Sequence, residues 1–209
     1  MRTFKLDDKD PNDYGFNIYN TRKFTFEPGI SVLIGCNGYG KSTMLTVLKS
    51  LLRDKNIPCI SFDNLKDGGS NARSRAAAFN NFTFVATSMC SSEGENIIMN
   101  VGNLARHIGD DLREKYFDAS EVWILLDAVD SGLSIDNVIE LKEFFKLVID
   151  TNPNKDIYII VSANEYEMAH DQKCFDVYTG KYRCIRTYHE YKKFILRSRE
   201  LKNKRKYKL

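Results

Sequence analysis

The feature that most constrains this chain is the eight-residue stretch Gly35-Cys36-Asn37-Gly38-Tyr39-Gly40-Lys41-Ser42, which fits the pattern Gly-x-x-x-x-Gly-Lys-Ser. In this pattern the glycines let the main chain approach a phosphate closely, so that backbone N–H groups and the start of the next helix face the anion. An apolar run at 30–34 precedes the stretch, and apolar residues at helical spacing follow it to about Asp54. A strand, a glycine-rich loop and a helix in this order predict a phosphate-binding loop.

Two side chains at the end of this loop have predicted parts in holding a nucleoside triphosphate. Lys41 is expected to reach the β- and γ-phosphates and to act in catalysis, and Ser42 to give a hydroxyl oxygen to Mg²⁺. Further nucleotide contacts are expected from the loop and the first turn of the helix, at Gly35, Asn37, Gly38, Gly40 and Thr43. The predicted ligands are therefore ATP and Mg²⁺.

Apolar strands alternate with amphipathic helices along the rest of the chain. Strands are expected at 14–19, 22–26, 58–62, 122–127 and 156–161, a hairpin at 175–178 with 182–185, and helices at 72–79, 92–113, 134–149 and from about 187 onward. The helix at 134–149 is expected to turn Ile139, Leu141, Phe144, Phe145 and Val148 inward. This order predicts an α/β protein with the P-loop NTPase fold, a mostly parallel central sheet and an antiparallel N-terminal β-subdomain.

A carboxylate ends the most apolar of these strands. Asp127 follows Val122-Trp123-Ile124-Leu125-Leu126 and would lie at the carboxyl edge of a parallel sheet, where α/β proteins bind their ligands. At that edge it can hold Mg²⁺ directly or through water beside the phosphate loop. We therefore predict Ser42 and Asp127 as the metal-binding pair.

The segment around this aspartate, Ile124-Leu125-Leu126-Asp127-Ala128-Val129-Asp130-Ser131-Gly132-Leu133-Ser134, resembles the Walker B and D-loop region of ABC-type ATPases. Upstream, Ser91-Ser92-Glu93-Gly94-Glu95 is similar to the signature motif of that family. The resemblance implies that Ser92, Gly94 and Glu95 contact the nucleotide of a second copy, so that two chains close head to tail around ATP. Read alone, the same five residues are typical of an ordinary helix N-cap.

The sequence departs from the ABC pattern at three places. The glutamate expected after Asp127 is Ala128, the expected switch histidine is Asn164, and no glutamine lies between the loop and the signature. Asp130 could orient the attacking water and Asn164 could bind the γ-phosphate, although Asp130 could equally cap the following turn. Because alanine cannot accept a proton, an ATPase and a hydrolysis-deficient, ATP-dependent switch or scaffold both stay open.

The length and opening of the chain bear on the branch of the family. Only 48 residues separate Ser42 from Ser91, which is short for a transporter ATPase subunit and disfavours that alternative. The opening resembles the head domains of SMC, RecF and SbcC-type ATPases, and no heptad run is sustained. The resemblance implies a compact, stand-alone head of the kind found in phages and mobile elements, acting on nucleic acid in recombination, repair or genome maintenance, or on a protein partner.

Charge divides the chain into an ATP-binding domain at 1–190 and a basic tail or helix at 191–209. The tail holds nine lysines and arginines against one acid, so it could bind DNA or RNA, or be an ordinary solvated helix. No apolar run is long enough to span a membrane, and five scattered cysteines favour a cytoplasmic protein.

Candidates for contact with adenine are Tyr14, Phe16 and Tyr19, unless these aromatic residues belong to the core.

Overall fold

Two sheets and their flanking helices make up the computed structural model, which describes residues 1–6, 18–64 and 93–206. Its strands are β1 Arg2–Lys5, β2 Lys23–Phe26, β3 Gly29–Ile34, β4 Cys59–Asp63, β5 Glu121–Asp127, β6 Asp156–Ser162, β7 Lys173–Asp176 and β8 Lys181–Arg183. The helices are α1 Lys41–Asp54, α2 Glu93–Asp110 with a π-helical turn at Asp111–Lys115, α3 Ile135–Asp150, α4 Tyr166–Ala169 and α5 Tyr188–Lys206. The predicted helix at 72–79 lies outside the described residues.

The central sheet has six strands in the order β4-β5-β6-β3-β7-β8, parallel throughout except for the final β7–β8 pair. Strand β6 therefore lies between β3, which leads into the loop, and β5, which ends at Asp127. The register places Asp127 beside Ser162 and Ser162 beside Leu33. The predicted α/β class, the mostly parallel sheet and the antiparallel hairpin are thus confirmed, and the ends of β5 and β6 lie together near the loop.

A separate two-stranded antiparallel sheet forms from β1 and β2. A strand was also expected at 14–19, and this is wrong for Ile18 and Tyr19, which lie outside any strand, while 14–17 lie outside the described residues. Burial favours β1 as the partner of β2, since Phe4 of β1 is 2% exposed and packs edge-on against Trp123 of the central sheet. Burying the Phe4 side chain against this face of the sheet is more favourable than leaving it in solvent.

Helices cover both faces of the central sheet. Helix α1 packs its buried residues, including Met44 and Leu48, into one core cluster, and α3 packs into the other. The prediction for α3 is wrong at Ile139, which is 42% exposed, while its neighbour Val138 is 1% exposed. Val138, Leu141, Phe145 and Val148 share one stripe at helical spacing, and the centre of this stripe lies about 140° around the helix from Ile139.

The basic C-terminal segment is mostly helix in the described residues. Helix α5 starts at Tyr188, so the predicted boundary between 190 and 191 falls inside it. Its residues Tyr191 and Ser198 are buried against the rest of the chain. Among the described helices, none is both long and apolar enough to cross a membrane.

Candidate phosphate-binding site

The loop between β3 and α1 needs glycine at its first and last positions, Gly35 and Gly40, for the same two reasons. Gly35 has φ of +145°, and a Cβ added there would lie 2.2 Å from Tyr39 Cδ1. Gly40 has φ of +110°, and a Cβ there would lie 2.7 Å from Ile18 Cγ2. Both positions therefore exclude larger side chains by contact as well as by backbone conformation. The exposed Asn37 and Gly38 form the open part of the loop.

The first turn of α1 has the character of an anion site. Helix α1 begins at Lys41, its N-cap Gly40 offers no side-chain hydrogen bond, and its first turn contains no acidic residue. The first N–H groups of a helix carry partial positive charge and require an acceptor. Ser42 is exposed and Thr43 half-buried, so this turn is open to a ligand. A phosphate group would supply the missing acceptor.

Lys41 points into the loop and is 7% exposed. Its Nζ donates to the carbonyl oxygen of Gly35 at 2.7 Å. Burial lowers the pKa of this ammonium, and the nearby carboxylates of Asp130 and Asp127 act in the opposite direction. The lysine is thus held where its charge is poorly solvated, and a bound polyanion would offset that cost.

The predicted metal pair is brought together. Ser42 Oγ lies 3.1 Å from Asp127 Oδ1, at residues 85 positions apart in the chain. Ser162 Oγ donates to the same carboxylate oxygen and accepts the N–H of Ala128 at 2.9 Å. The hydroxyl of Ser162 therefore fixes the orientation of Asp127, a positioning role that the sequence reading did not assign.

These two oxygens fit Mg²⁺ better than a metal that needs a cage of protein ligands. Within 1–6, 18–64 and 93–206, no group of three His, Cys, Asp or Glu side chains could hold a metal ion. Mg²⁺ usually takes one or two protein oxygens, keeps several waters and shares the phosphates of a nucleotide. Ser42 and Asp127 are the residues that would hold it.

Asp130 is completely buried and spans two loops. Its Oδ2 accepts the N–H groups of Asn164 at 2.7 Å and Glu165 at 2.8 Å, while Oδ1 has no partner among the described residues. Burial raises the pKa of this carboxyl, partly countered by the two N–H donors. Asp130 thus holds the turn after β6, rather than the turn that follows it in sequence. Its predicted catalytic role rests on the unpaired Oδ1.

The remaining predicted catalytic residue, Asn164, lies on the exposed side of the same turn. Its side-chain amide donates to Ser131 Oγ at 2.9 Å, and its backbone carbonyl oxygen accepts from the Tyr191 hydroxyl at 3.1 Å. Ala128, in the place of the expected glutamate, has φ of +53°, which is left-handed and unusual for a residue with a Cβ. The segment after Asp127 is therefore sharply turned, with a methyl group where a general base was expected.

The signature-like motif is described only in part. Gly94 and Glu95 lie in the first turn of α2, as the predicted helix start requires, whereas Ser92 lies outside the described residues. Asn64, directly after β4, was missed by the sequence reading. Its side-chain amide donates to the carbonyl oxygens of Ala128 at 3.1 Å and Ser131 at 3.4 Å. A polar residue immediately after an apolar strand was the signal available for Asn64, as it was for Asp127.

Comparison with known proteins adds no relative to this picture. No protein-family model matches the chain, and no curated protein matches it. The function is therefore inferred from the geometry of the site.

Proposed function

We propose that this protein binds Mg-ATP in the loop Gly35–Ser42. The observation that carries the proposal is the 3.1 Å contact between Ser42 Oγ and Asp127 Oδ1, beside a buried Lys41 and an uncapped helix N-terminus. These groups supply what a magnesium triphosphate needs: a cation, backbone N–H donors and two hard oxygen ligands. When bound, Mg²⁺ neutralises charge on the β- and γ-phosphates. The P-loop NTPase fold and the ABC-type resemblance belong to the same proposal.

The test of nucleotide binding is a titration with a fluorescent ATP analogue in the presence of Mg²⁺. Lys41→Met keeps an unbranched side chain of similar length but removes the charge, and should weaken binding about 100-fold, as expected for a lost hydrogen bond to a charged group. Lys49→Met is the matched control, since Lys49 is exposed on the same helix. Equal binding by wild type and Lys41→Met would contradict the proposal.

Tyr19 is the described candidate for contact with adenine, since Tyr14 and Phe16 lie outside the described residues. Its hydroxyl donates to the carbonyl oxygen of Gly40 at 2.9 Å, and its ring packs edge-on against Phe24 with centroids 5.3 Å apart. The ring is therefore fixed next to the loop, where a base could stack on it. Tyr19→Leu should weaken binding of ATP more than that of inorganic triphosphate, and an equal loss for both would contradict stacking of the adenine on this ring.

We further propose that two chains close head to tail around the nucleotides, with Ser92, Gly94 and Glu95 of each facing the site of the other. Support comes from the motif and from Gly94 and Glu95 in the first turn of α2, the end of a helix that favours anions. Size-exclusion chromatography should show a dimer with Mg-ATP and a monomer without it. Ser92→Arg should block the dimer and leave nucleotide binding unchanged; a monomer under both conditions would contradict closure.

Ala128 favours a second candidate function, a switch or scaffold that binds ATP and hydrolyses it negligibly. Alanine cannot act as a general base, and the alternative predicted from the sequence, Asp130, is buried and already accepts two backbone N–H groups. Single-turnover hydrolysis by wild type and Asp130→Asn separates the candidates. A slower variant supports an ATPase that uses Asp130, and equally slow proteins support the switch.

The charge of helix α5 favours nucleic acid as a partner, whether the protein is an ATPase or a switch. Its exposed face carries Lys192, Lys193, Arg197, Arg199 and Lys204, with Glu200 as the one acid from 192 to 204. A row of cations on a helix suits the phosphate backbone of DNA or RNA, with an affinity that falls as salt rises. Lys193→Glu with Arg197→Glu should weaken binding of both duplex DNA and RNA and flatten that salt dependence. Unchanged binding would remove this role from the helix.

A further inference from the structure

Helix α5 presents a second face to the phosphate loop. Its packed positions follow helical spacing and include Tyr191, Phe194, Ile195, Ser198, Leu201 and Lys202. The Phe194 ring meets the Tyr39 ring edge-on, with centroids 6.4 Å apart. The helix is thus packed against the loop, even though it was expected from its charge to be a separate tail.

The most specific contact between helix α5 and the phosphate loop is a buried hydrogen bond. The N–H of Cys36, the second residue of the loop, donates to Ser198 Oγ at 2.8 Å, and the Ser198 hydroxyl donates in turn to the carbonyl oxygen of Ile195 at 2.7 Å. Ser198 is 1% exposed and Cys36 is 6% exposed. A backbone N–H at this depth requires an acceptor, so loss of the hydroxyl would drive the loop to rearrange.

A second contact holds the next residue of the loop. Lys202 Nζ donates to the carbonyl oxygen of Asn37 at 3.0 Å, and its Cδ lies 3.5 Å from where a Cβ on Gly38 would be. Ser198 and Lys202 are one helical turn apart, so a single face of α5 holds two consecutive residues of the loop. The other end of the loop is fixed by helix α1, which begins at Lys41.

We propose that Ser198 and Lys202 are positioning residues of the nucleotide site, and that α5 sets the shape of the first half of the phosphate loop for the triphosphate. The inference rests on the proposed binding of Mg-ATP. It follows that the C-terminal helix and the nucleotide stabilise each other, because a ligand that needs the ordered loop favours the docked helix to the same extent that the docked helix favours the ligand. A partner that binds the exposed face of α5 would therefore act on a helix already joined to the nucleotide site.

The test compares the affinity for Mg-ATP with stability in single variants of the full chain. Ser198→Ala removes the acceptor and should weaken binding about tenfold, as expected for one buried hydrogen bond. Lys202→Met should weaken it by a smaller factor, because this contact is more exposed. Ile195→Val is the matched control, since it removes one methyl group from the same packed face and no hydrogen bond to the loop.

Loop order gives a readout that a merely structural role would not move. Hydrogen exchange at 35–40 should be faster in Ser198→Ala than in Ile195→Val at equal loss of thermal stability, and Ser198→Thr, which keeps a hydroxyl, should restore binding in part. If Ser198→Ala binds Mg-ATP as tightly as Ile195→Val, this inference fails and the proposed function stands. Wild-type protein that does not bind Mg-ATP would overturn the proposed function and this inference with it.

Discussion

The phosphate loop and the facing edge, formed by the residues that follow β5 and β6, differ in how completely they carry the groups that the proposed ATP chemistry requires. On the loop side, Lys41 is buried and directed into the loop, and Ser42 lies 3.1 Å from Asp127. On the facing side, Ala128 and Asn164 lie where the ABC-type resemblance predicts a glutamate and a histidine. The proposed binding and the proposed hydrolysis can therefore be tested separately, and the residues suited to binding form the more complete set.

The largest effect is expected from a carboxylate base introduced at position 128. Ala128→Glu should raise the rate of single-turnover ATP hydrolysis about 100-fold, the lower end of what a positioned general base contributes. Ala128→Gln has the same shape and no basic carboxylate, so it is the control. Equal rates for the two variants would show that position 128 does not face the reacting phosphate.

The metal pair gives the next largest effect. Asp127→Asn should weaken binding of Mg-ATP about tenfold and leave binding of ATP without Mg²⁺ almost unchanged, because it removes one charged ligand of the metal. Asp63→Asn is the control, since Asp63 lies beside Asp127 in the register of β4 and β5. If Asp63→Asn alone removed the effect of Mg²⁺, the metal would belong to β4 instead.

The buried carboxyl on the facing edge should appear in the pH dependence of folding. Burial raises the pKa of Asp130 in the folded protein, so its contribution to stability is present below its ordinary value and is lost as pH rises through the raised pKa. As pH rises above about 4, the ordinary pKa of an aspartate, wild type should therefore lose stability relative to Asp130→Asn. Urea unfolding at several pH values measures this, and a constant difference would show that Asp130 has an ordinary pKa.

The smallest expected effect tests the backbone of the facing edge. Ala128 has a left-handed φ, so Ala128→Gly should raise the free energy of unfolding by about 0.5–1 kcal/mol, as relief of this strain outweighs the greater freedom of glycine in the unfolded chain. Ala105→Gly, within α2, serves as the comparison and should destabilise, because glycine disfavours a helix interior. A destabilising Ala128→Gly would contradict the left-handed conformation.

Local patterns predicted much of the fold. The helix expected from Lys41 to about Asp54 is α1, and the expected strands at 122–127 and 156–161 are β5 and β6, each one residue longer. These elements are long and strongly patterned, and their ends carry the predicted Lys41, Ser42 and Asp127. The motif and its spacing therefore predict the positions of the loop, the lysine and the carboxylate without any tertiary contact.

Contacts between distant residues could not be predicted in this way. The hydrogen bond from Cys36 to Ser198 joins residues 162 positions apart, and the one from Ala128 to Ser162 joins residues 34 apart. Serine is common on helices and at strand ends, so neither position carries a local signal for its role. The pairing of β1 with β2 was missed for a similar reason, since it depends on burial against Trp123 and not on the pattern of β1.

An experimental structure of the protein with Mg-ATP would test the proposed binding site. We expect the triphosphate in the loop Gly35–Ser42, the Lys41 ammonium on the phosphates in place of the Gly35 carbonyl, and Mg²⁺ between Ser42 and Asp127. Nucleotide bound elsewhere on the chain, with Lys41 still bonded to Gly35 and no metal near Asp127, would contradict the account.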